Sequence, residues 1–265
     1  MRLLWVILLW PGLAWAEARI VGGPGPGCIA GAVELPPDGP GYMTIRASRS
    51  TYWGHPDTIA QLELLAARAQ QAGLPTLYMN DIARRYGGPT AGVHASHMTG
   101  LDADVWLDTQ PKSRMSAAER DAVEVVSVVA ADQRGIDRSR WNAGHMTLIR
   151  LAATLPGTDR VLVNAAIKRQ LCLSVTGDRS WLRQVRPWYG HAAHLHIHFR
   201  CPANQPECVD QAPPPPGDGC DASLQWWFDR LDQPPVPASG PPPPPPRLPV
   251  ACAAILRGAS TPARP

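Results

Sequence analysis

The sequence lacks the features that most readily assign a function. Lysine and arginine (25) nearly balance aspartate and glutamate (22), so the net charge of +3 gives no basis for a nucleic-acid partner. Past residue 16, no apolar segment approaches the roughly 20 residues that a membrane-spanning helix needs, so no membrane span is expected in the mature chain. The sequence contains no internal repeat, no C-x-x-C pair and no H-E-x-x-H motif. These absences argue against zinc knuckles and zincin-type sites.

Residues 1–16 have the pattern of a secretory signal peptide. Arg2 supplies a thin positive region, an apolar stretch follows, and Ala14 and Ala16 form an A-x-A cleavage site. The mature chain is therefore expected to begin at Glu17. A retained membrane anchor is the alternative, and the shortness of the apolar stretch disfavours it.

The cysteines indicate a disulfide framework. An even number of cysteines in an exported chain predicts three disulfides, and six cysteines allow 15 pairings among which the sequence alone does not choose. A cysteine metal site is the weaker alternative, because even the closest pair in the sequence is too widely spaced for a knuckle. The six are Cys28, Cys172, Cys201, Cys208, Cys220 and Cys252.

The prolines are concentrated in one segment near the C-terminal end of the chain. Fourteen of the 30 prolines lie between Pro213 and Pro249, where the backbone must be polyproline or irregular. A flexible linker is one interpretation. A tail wrapped on the domain is preferred, because Cys252 lies beyond the prolines and needs a partner in the body. The predicted division is a signal peptide at 1–16, one domain at 17–212 and a Pro-rich tail at 213–265.

Apolar periodicity predicts three main helices. The first runs from Pro56 to Gln71 with Asp57 as its N-cap, and Gly73 ends it. The capping-box pattern at residues 116–119 opens a second helix that is expected to fade near Gly135. A third covers about residues 143–153. Short strands are expected at 74–79 and 160–163, and a short helix at 165–171.

Six of the eight histidines fall in two short clusters. The second cluster, at residues 191–202, reads HAAHLHIHFRCP. Leu195, Ile197 and Phe199 alternate with three histidines, which predicts a strand with one apolar face and one face of imidazoles about 6.5 Å apart. The histidines on that face are His194, His196 and His198.

The first cluster, at residues 94–102, reads HASHMTGLD and leads into a second predicted strand. Asp102 and Asp104 alternate with apolar residues, so both would point to one polar face. His97, Asp104 and His196 together supply a set of two imidazoles and one carboxylate, which suits a catalytic zinc with a fourth position for water. The alternatives are satisfied core histidines, solvated carboxylates or a site for adventitious metal.

Four strings resemble the penicillin-insensitive murein endopeptidases. They are YWGHP at 52–56, HASHMTGLD at 94–102, VNAAIK at 163–168 and HAAHLHIHFRCP at 191–202. This family is related to lysostaphin, the D-Ala-D-Ala dipeptidases and hedgehog domains. The resemblance extends to the cysteines and the Pro-rich tail, and it covers essentially the whole mature chain.

The resemblance implies a fold and a site. The fold would be α+β, with a small antiparallel sheet that carries one zinc ion, flanking helices and a disulfide-tethered tail. His97, Asp104 and His196 would be the zinc ligands, and His194 and His191 the catalytic residues. His94 would support the ligands or line the pocket. Asp102, judged from the residues alone, would either orient a ligand or be a surface carboxylate. His198 stands where the family is expected to have Arg, on the same side as the ligands, where it would support them, alter substrate contacts or compete for metal. Met98 stands where the family is expected to have Gln.

The resemblance also implies the pairs Cys28–Cys252, Cys172–Cys220 and Cys201–Cys208. The implied activity is hydrolysis of the D-alanyl–meso-diaminopimelyl amide in cross-linked peptidoglycan in the periplasm, without inhibition by penicillin. A D,D-carboxypeptidase, or a peptidase for another stem-peptide bond, is the first alternative. A non-catalytic, zinc-containing wall-binding module is the second, and a metal-free disulfide scaffold is the least favoured.

Overall fold

The computed structural model describes residues 17–90, 94–233 and 247–258. The predicted signal peptide and the run of six prolines at 241–246 lie outside these residues. Within the described part of the chain, no helix combines the length and the apolar character that crossing a bilayer requires.

The described residues form six α-helices and eleven strands. The helices α1 to α6 are Pro56–Gln71, Ala117–Asp121, Ala143–Ala153, Ala165–Ser174, Ala222–Asp229 and Cys252–Gly258. The strands β1 to β11 are Arg19–Gly22, Gly27–Ala30, Val33–Glu34, Asp38–Gly39, Tyr42–Thr44, Trp53–Gly54, Leu77–Met79, Asp102–Trp106, Thr158–Val163, Val185–Pro187 and His194–Phe199.

Seven strands form one mixed sheet in the order β10-β9-β11-β8-β7-β5-β4. The strand β11 pairs antiparallel with both β8 and β9, while the pairs β10–β9 and β5–β7 are parallel. The predicted α+β fold class is confirmed. In each parallel pair, a helix connects the two strands, as parallel pairing requires. These pairs extend the sheet on both sides of the antiparallel strands β8 and β11 at its centre.

The helix α1 has the predicted bounds, but its N-cap differs from the prediction. His55, not Asp57, is the cap, and its Nδ1 accepts a hydrogen bond from the backbone N–H of Asp57 at 3.2 Å. Pro56 occupies the first helical turn, where its missing N–H costs nothing. Gly73 follows the helix with a φ of 76°, the left-handed conformation that glycine adopts without strain.

The helix α2 begins as predicted and ends early. Ser116 and Glu119 form the capping box, but the helix stops at Asp121 instead of continuing towards Gly135. The segment after it is rich in valine, whose branched Cβ restricts χ1 in a helix. The helix α3 has the predicted bounds, and α4 begins after its N-cap Asn164.

Strand alternation separates the core from a polar face. Along β11, Leu195, Ile197 and Phe199 are at most 3 % exposed, and Ala103 and Val105 of β8 lie in the same apolar cluster. Burying a large apolar side chain contributes about 1.5–3 kcal/mol. This packing holds β8 and β11 in place, so the opposite face presents the histidines and aspartates together.

Three disulfides close the structure, and they are the three pairs that the resemblance implied. Cys28–Cys252 joins α6 to β2, where Val21, Ile255 and Leu256 form a small apolar cluster around it. The predicted tether of the tail is confirmed. The helix α5 packs on α4 through Leu224 and Phe228. The division of the chain at residue 212 stays a prediction.

The Cys28–Cys252 disulfide is expected to contribute much more to the free energy of unfolding than the shortest disulfide. Cys28 and Cys252 are 224 residues apart, against 7 for Cys201 and Cys208. Loop-closure entropy gives about 5 kcal/mol for the long loop and about 2 kcal/mol for the short one. The Cys28→Ala/Cys252→Ala pair should therefore lower the free energy of unfolding more than Cys201→Ala/Cys208→Ala, as measured by urea unfolding. Equal losses would contradict this.

Candidate metal centre

The register between β8 and β11 builds the site. Asp104 lies opposite His196, and Asp102 lies opposite His198. Residues opposite one another in an antiparallel pair point to the same face. The side chains of the two sequence clusters therefore meet, although about ninety residues separate them in the chain.

His97 enters the site from a turn. Its φ is 65°, a left-handed conformation that is uncommon for a residue with a side chain. Its backbone N–H donates to Asp102 Oδ2 at 3.1 Å, which helps to hold this conformation. Gly100 joins the turn to β8, and a Cβ there would lie 3.0 Å from the backbone of Gly54. The close approach explains why glycine occupies that position.

Three donor atoms converge. His97 Nε2 lies 3.1 Å from His196 Nδ1 and 3.4 Å from Asp104 Oδ1, and His196 Nδ1 lies 3.2 Å from Asp104 Oδ1. Ligands at 2.0–2.1 Å from a tetrahedral zinc ion are about 3.3 Å apart. The three side chains are almost fully buried. The donor set and its spacing therefore fit zinc.

Hydrogen bonds turn both imidazoles towards this point. His97 Nδ1 donates to the carbonyl oxygen of Ile82 at 2.9 Å, which leaves Nε2 free to bind a cation. His196 Nε2 donates to Asp102 Oδ1 at 2.9 Å, which leaves Nδ1 free. Such partners fix the tautomer of a metal-binding histidine and orient its ring. Asp102 thus lies where a carboxylate that orients a ligand is expected.

The buried carboxylates favour a cation. Burial alone would raise the pKa of Asp104, but the charges of His97 and His194 and the hydrogen bond from His196 hold it well below its usual range. Burial opposes a charge on His196 as well, yet hydrogen bonds to Asp102 and Asp104 raise the pKa of His196 to about 10. The pocket therefore attracts positive charge, in agreement with a metal site.

His194 and His191 flank the centre on its open side. His194 Nε2 is 3.8 Å from Asp104 Oδ2, the carboxylate oxygen that the other two donors leave free, and its side chain is 29 % exposed. The ring of His191 lies 4.9 Å from that of His194. Burial lowers the pKa of His194, and burial with the neighbouring charges of His194 and His196 lowers the pKa of His191 to about 4. The ring of His191 is therefore neutral at neutral pH.

His94 lies close to the donor atoms of the candidate site. One of its ring nitrogens is within 4.8 Å of donor atoms of both His97 and Asp104. Its Nε2 contacts Asp81 Oδ2 at 2.8 Å, and Arg49 contacts the same oxygen at 2.7 Å. Sequence reasoning missed Asp81. Its signal was a carboxylate two residues beyond the apolar strand β7.

His198 contacts Asp102, which in turn contacts the candidate ligand His196. Its Nδ1 lies 2.9 Å from Asp102 Oδ1, so it shares this acceptor with His196. His196 and His198 line a groove of about 630 Å³. Arg160, Arg186 and Trp188 line other parts of the same groove.

Comparison with known proteins assigns the family. Residues 20–257 match the penicillin-insensitive murein endopeptidase family. The chain belongs to this family. It is 44 % identical over 242 residues to the penicillin-insensitive murein endopeptidase of Klebsiella pneumoniae subsp. pneumoniae, a match that covers 91 % of this chain and 86 % of the relative.

Two further relatives carry the same name. The protein of Haemophilus influenzae is 46 % identical over 213 residues, which is 80 % of this chain and 73 % of the relative. That of Yersinia pestis bv. Antiqua is 44 % identical over 237 residues, with shares of 89 % and 84 %. As a member of the penicillin-insensitive murein endopeptidase family, the chain is a metallopeptidase with a candidate metal site.

The role of Asp102 can be measured as metal affinity. Asp102→Asn keeps the side-chain volume but removes the charge that orients His196, so zinc affinity should fall by about 10- to 100-fold. Competition with a chromophoric chelator measures it, and circular dichroism checks the fold. Asp108→Asn, just beyond the end of β8, is the matched control and should bind zinc normally. An unchanged affinity in Asp102→Asn would show that Asp102 does not orient a ligand.

Proposed function

We propose that this protein is a zinc-dependent murein endopeptidase of the periplasm that hydrolyses the D-alanyl–meso-diaminopimelyl amide of peptidoglycan cross-links. The observation that carries the proposal is the convergence of His97 Nε2, Asp104 Oδ1 and His196 Nδ1 to within 3.1–3.4 Å of one another. The names of the family and of its relatives support the substrate class. An even set of paired cysteines supports an oxidising compartment.

The proposed ligands are His97, Asp104 and His196, with His94 as a fourth candidate. Imidazole with a carboxylate suits zinc better than magnesium or calcium, which prefer oxygen donors. When bound, zinc supplies a Lewis acid for the scissile carbonyl and lowers the pKa of a coordinated water to about 7. The protein's part is to hold the ligand atoms in place through Asp102 and the carbonyl of Ile82.

His194 is the proposed proton carrier. It is partly exposed, burial lowers its pKa, and it lies against the outer oxygen of Asp104, so its ring can accept a proton at the open side of the site. The sequence offers no H-E-x-x-H glutamate for this task. His191 is the second candidate, since its ring lies beside that of His194, tilted by 49°, and its Nδ1 donates to the carbonyl of Tyr189 at 2.6 Å.

The groove suits a substrate that carries carboxylates. Arg160 and Arg186 line it together with His196 and His198. Stem peptides of peptidoglycan carry free carboxylates at diaminopimelate and at glutamate, and guanidinium groups pair well with carboxylates. With zinc bound, hydrolysis would require no acylated serine, which would account for an enzyme that penicillin does not inhibit.

Metal removal tests the proposal. Residues 17–265, stripped of zinc by a chelator, should no longer release monomeric muropeptides from cross-linked sacculi, and added zinc should restore release in the presence of penicillin. His97→Ala and His196→Ala should each lose metal and activity. Full activity in either variant would rule out the ligand set.

The products separate the proposal from its alternatives. A carboxypeptidase would release free D-alanine and leave the dimers linked, which mass spectrometry of the products detects. Sacculi that bind the protein tightly but stay intact after long incubation would instead identify a non-catalytic module.

The role of His194 is separable from metal binding. His194→Ala should retain zinc, by elemental analysis, while turnover of sacculi falls by about 10²- to 10⁴-fold, the usual contribution of a positioned proton carrier. His191→Ala is the neighbouring comparison and should lose less activity. If the zinc content of His194→Ala falls instead, His194 is a ligand and the assignment is wrong.

A further inference from the structure

Four aromatic side chains form one cluster on the surface. The aromatic cluster consists of Trp188 and Tyr189, which follow β10, and Trp226 and Trp227 of α5. The ring of Trp227 lies 4.8 Å from that of Tyr189, 6.2 Å from Trp188 and 5.2 Å from Trp226. These separations are within the range of favourable aromatic pairs, so the rings support one another in a continuous surface.

The cluster is unusually exposed. Trp188 is 51 % exposed, Tyr189 57 % and Trp226 46 %. Single exposed apolar residues are ordinary on a protein surface, but a contiguous group of large rings marks a binding surface. The guanidinium of Arg230 lies over the ring of Trp226 at 4.9 Å, which adds a polar rim.

The cluster is anchored to the elements that carry the metal centre. The backbone N–H of Trp188 donates to the carbonyl of Val163 on β9 at 2.9 Å, and the carbonyl of Tyr189 contacts His191 Nδ1. Trp227 packs beside the buried residues at the interface of α4 and α5. The rings therefore hold a defined position relative to the candidate catalytic histidines.

Two cavities meet at these rings. Trp188 and Trp227 line the groove of about 630 Å³ that His196 also lines, and they line a second cavity of about 260 Å³ as well. The amides of Gln133 and Asn164 line this second cavity. A ligand in the groove would therefore meet the aromatic cluster at Trp188 and Trp227.

We propose that the aromatic cluster binds the glycan strand of peptidoglycan while the attached stem peptide occupies the groove; this inference rests on the proposed function. Pyranose rings present flat C–H faces that stack on aromatic rings, and their hydroxyl and acetamido groups need polar partners at the rim. A stem of four residues spans at most about 14 Å, and Trp188 and Trp227 belong both to the cluster and to the lining of the groove, so the sugar and the peptide would occupy adjoining sites. The cluster thus binds the polymer at a point away from the scissile bond.

Binding of a sugar without a peptide tests the surface directly. The probe is the tetramer of N-acetylglucosamine, titrated into the mature protein by isothermal calorimetry. Tyr189→Ala and Trp226→Ala should each weaken binding by about tenfold, equivalent to about 1.4 kcal/mol. Leu173→Ala is the control, because Leu173 is 76 % exposed on α4 and lies outside the cluster. Absence of binding by the unaltered protein would overturn the proposal.

Cleavage assays separate this inference from the proposed function. Trp226 does not line the groove, so Trp226→Ala should slow release from sacculi while its rate on a sugar-free cross-linked peptide dimer stays that of the unaltered protein. Equal rates of the variant and the unaltered protein on both substrates would overturn the glycan surface alone. Failure of the unaltered protein to cleave either substrate, with oligosaccharide binding intact, would overturn the proposed function instead.

A second copy of this chain is the other occupant that the test detects. Light scattering over a range of protein concentrations measures the oligomeric state. A dimer that Trp226→Ala converts to a monomer would assign the cluster to self-association and overturn the proposal. A monomer in both proteins supports a surface that is open to the polymer.

Discussion

The pairing register of β8 and β11 is the constraint on which the site depends. It places Asp104 opposite His196 and Asp102 opposite His198. Because side chains alternate along a strand, a slip of one residue would turn the imidazoles into the core and the apolar residues into the groove. The buried faces of Leu195, Ile197 and Phe199 prevent that slip. Core packing and site geometry are therefore two consequences of one register.

Asp102 connects this register to the metal centre. Its carboxylate accepts from the backbone of His97, from the ring of His196 and from His198. An unpaired charge at this depth would cost several kcal/mol, so these contacts are needed to keep the carboxylate ionised. The same contacts set the ring orientations. Electrostatic compensation of one buried charge thus also orients the candidate donor residues.

Local patterns predicted much of the framework. Alternation around residues 101–107 and 194–199 predicted both site strands, and the sequence pattern predicted the bounds of α1 and α3. Prediction failed at two local details: α2 ends early because a valine-rich segment follows it, and α1 is capped by a ring nitrogen of His55 that accepts from the backbone of Asp57. The partner of His94, Asp81, carries no sequence signal stronger than its place after β7.

The sequence by itself determined the chemical types of the donors and the faces on which they lie, because both follow from residue identity and from the two-residue period of a strand. The tertiary structure alone decided which candidate donors meet, which ring nitrogens face one another, and that α5 brings Trp227 to the groove. These features depend on contacts between segments far apart in the chain. No local rule encodes them, since they arise only when the shared core closes.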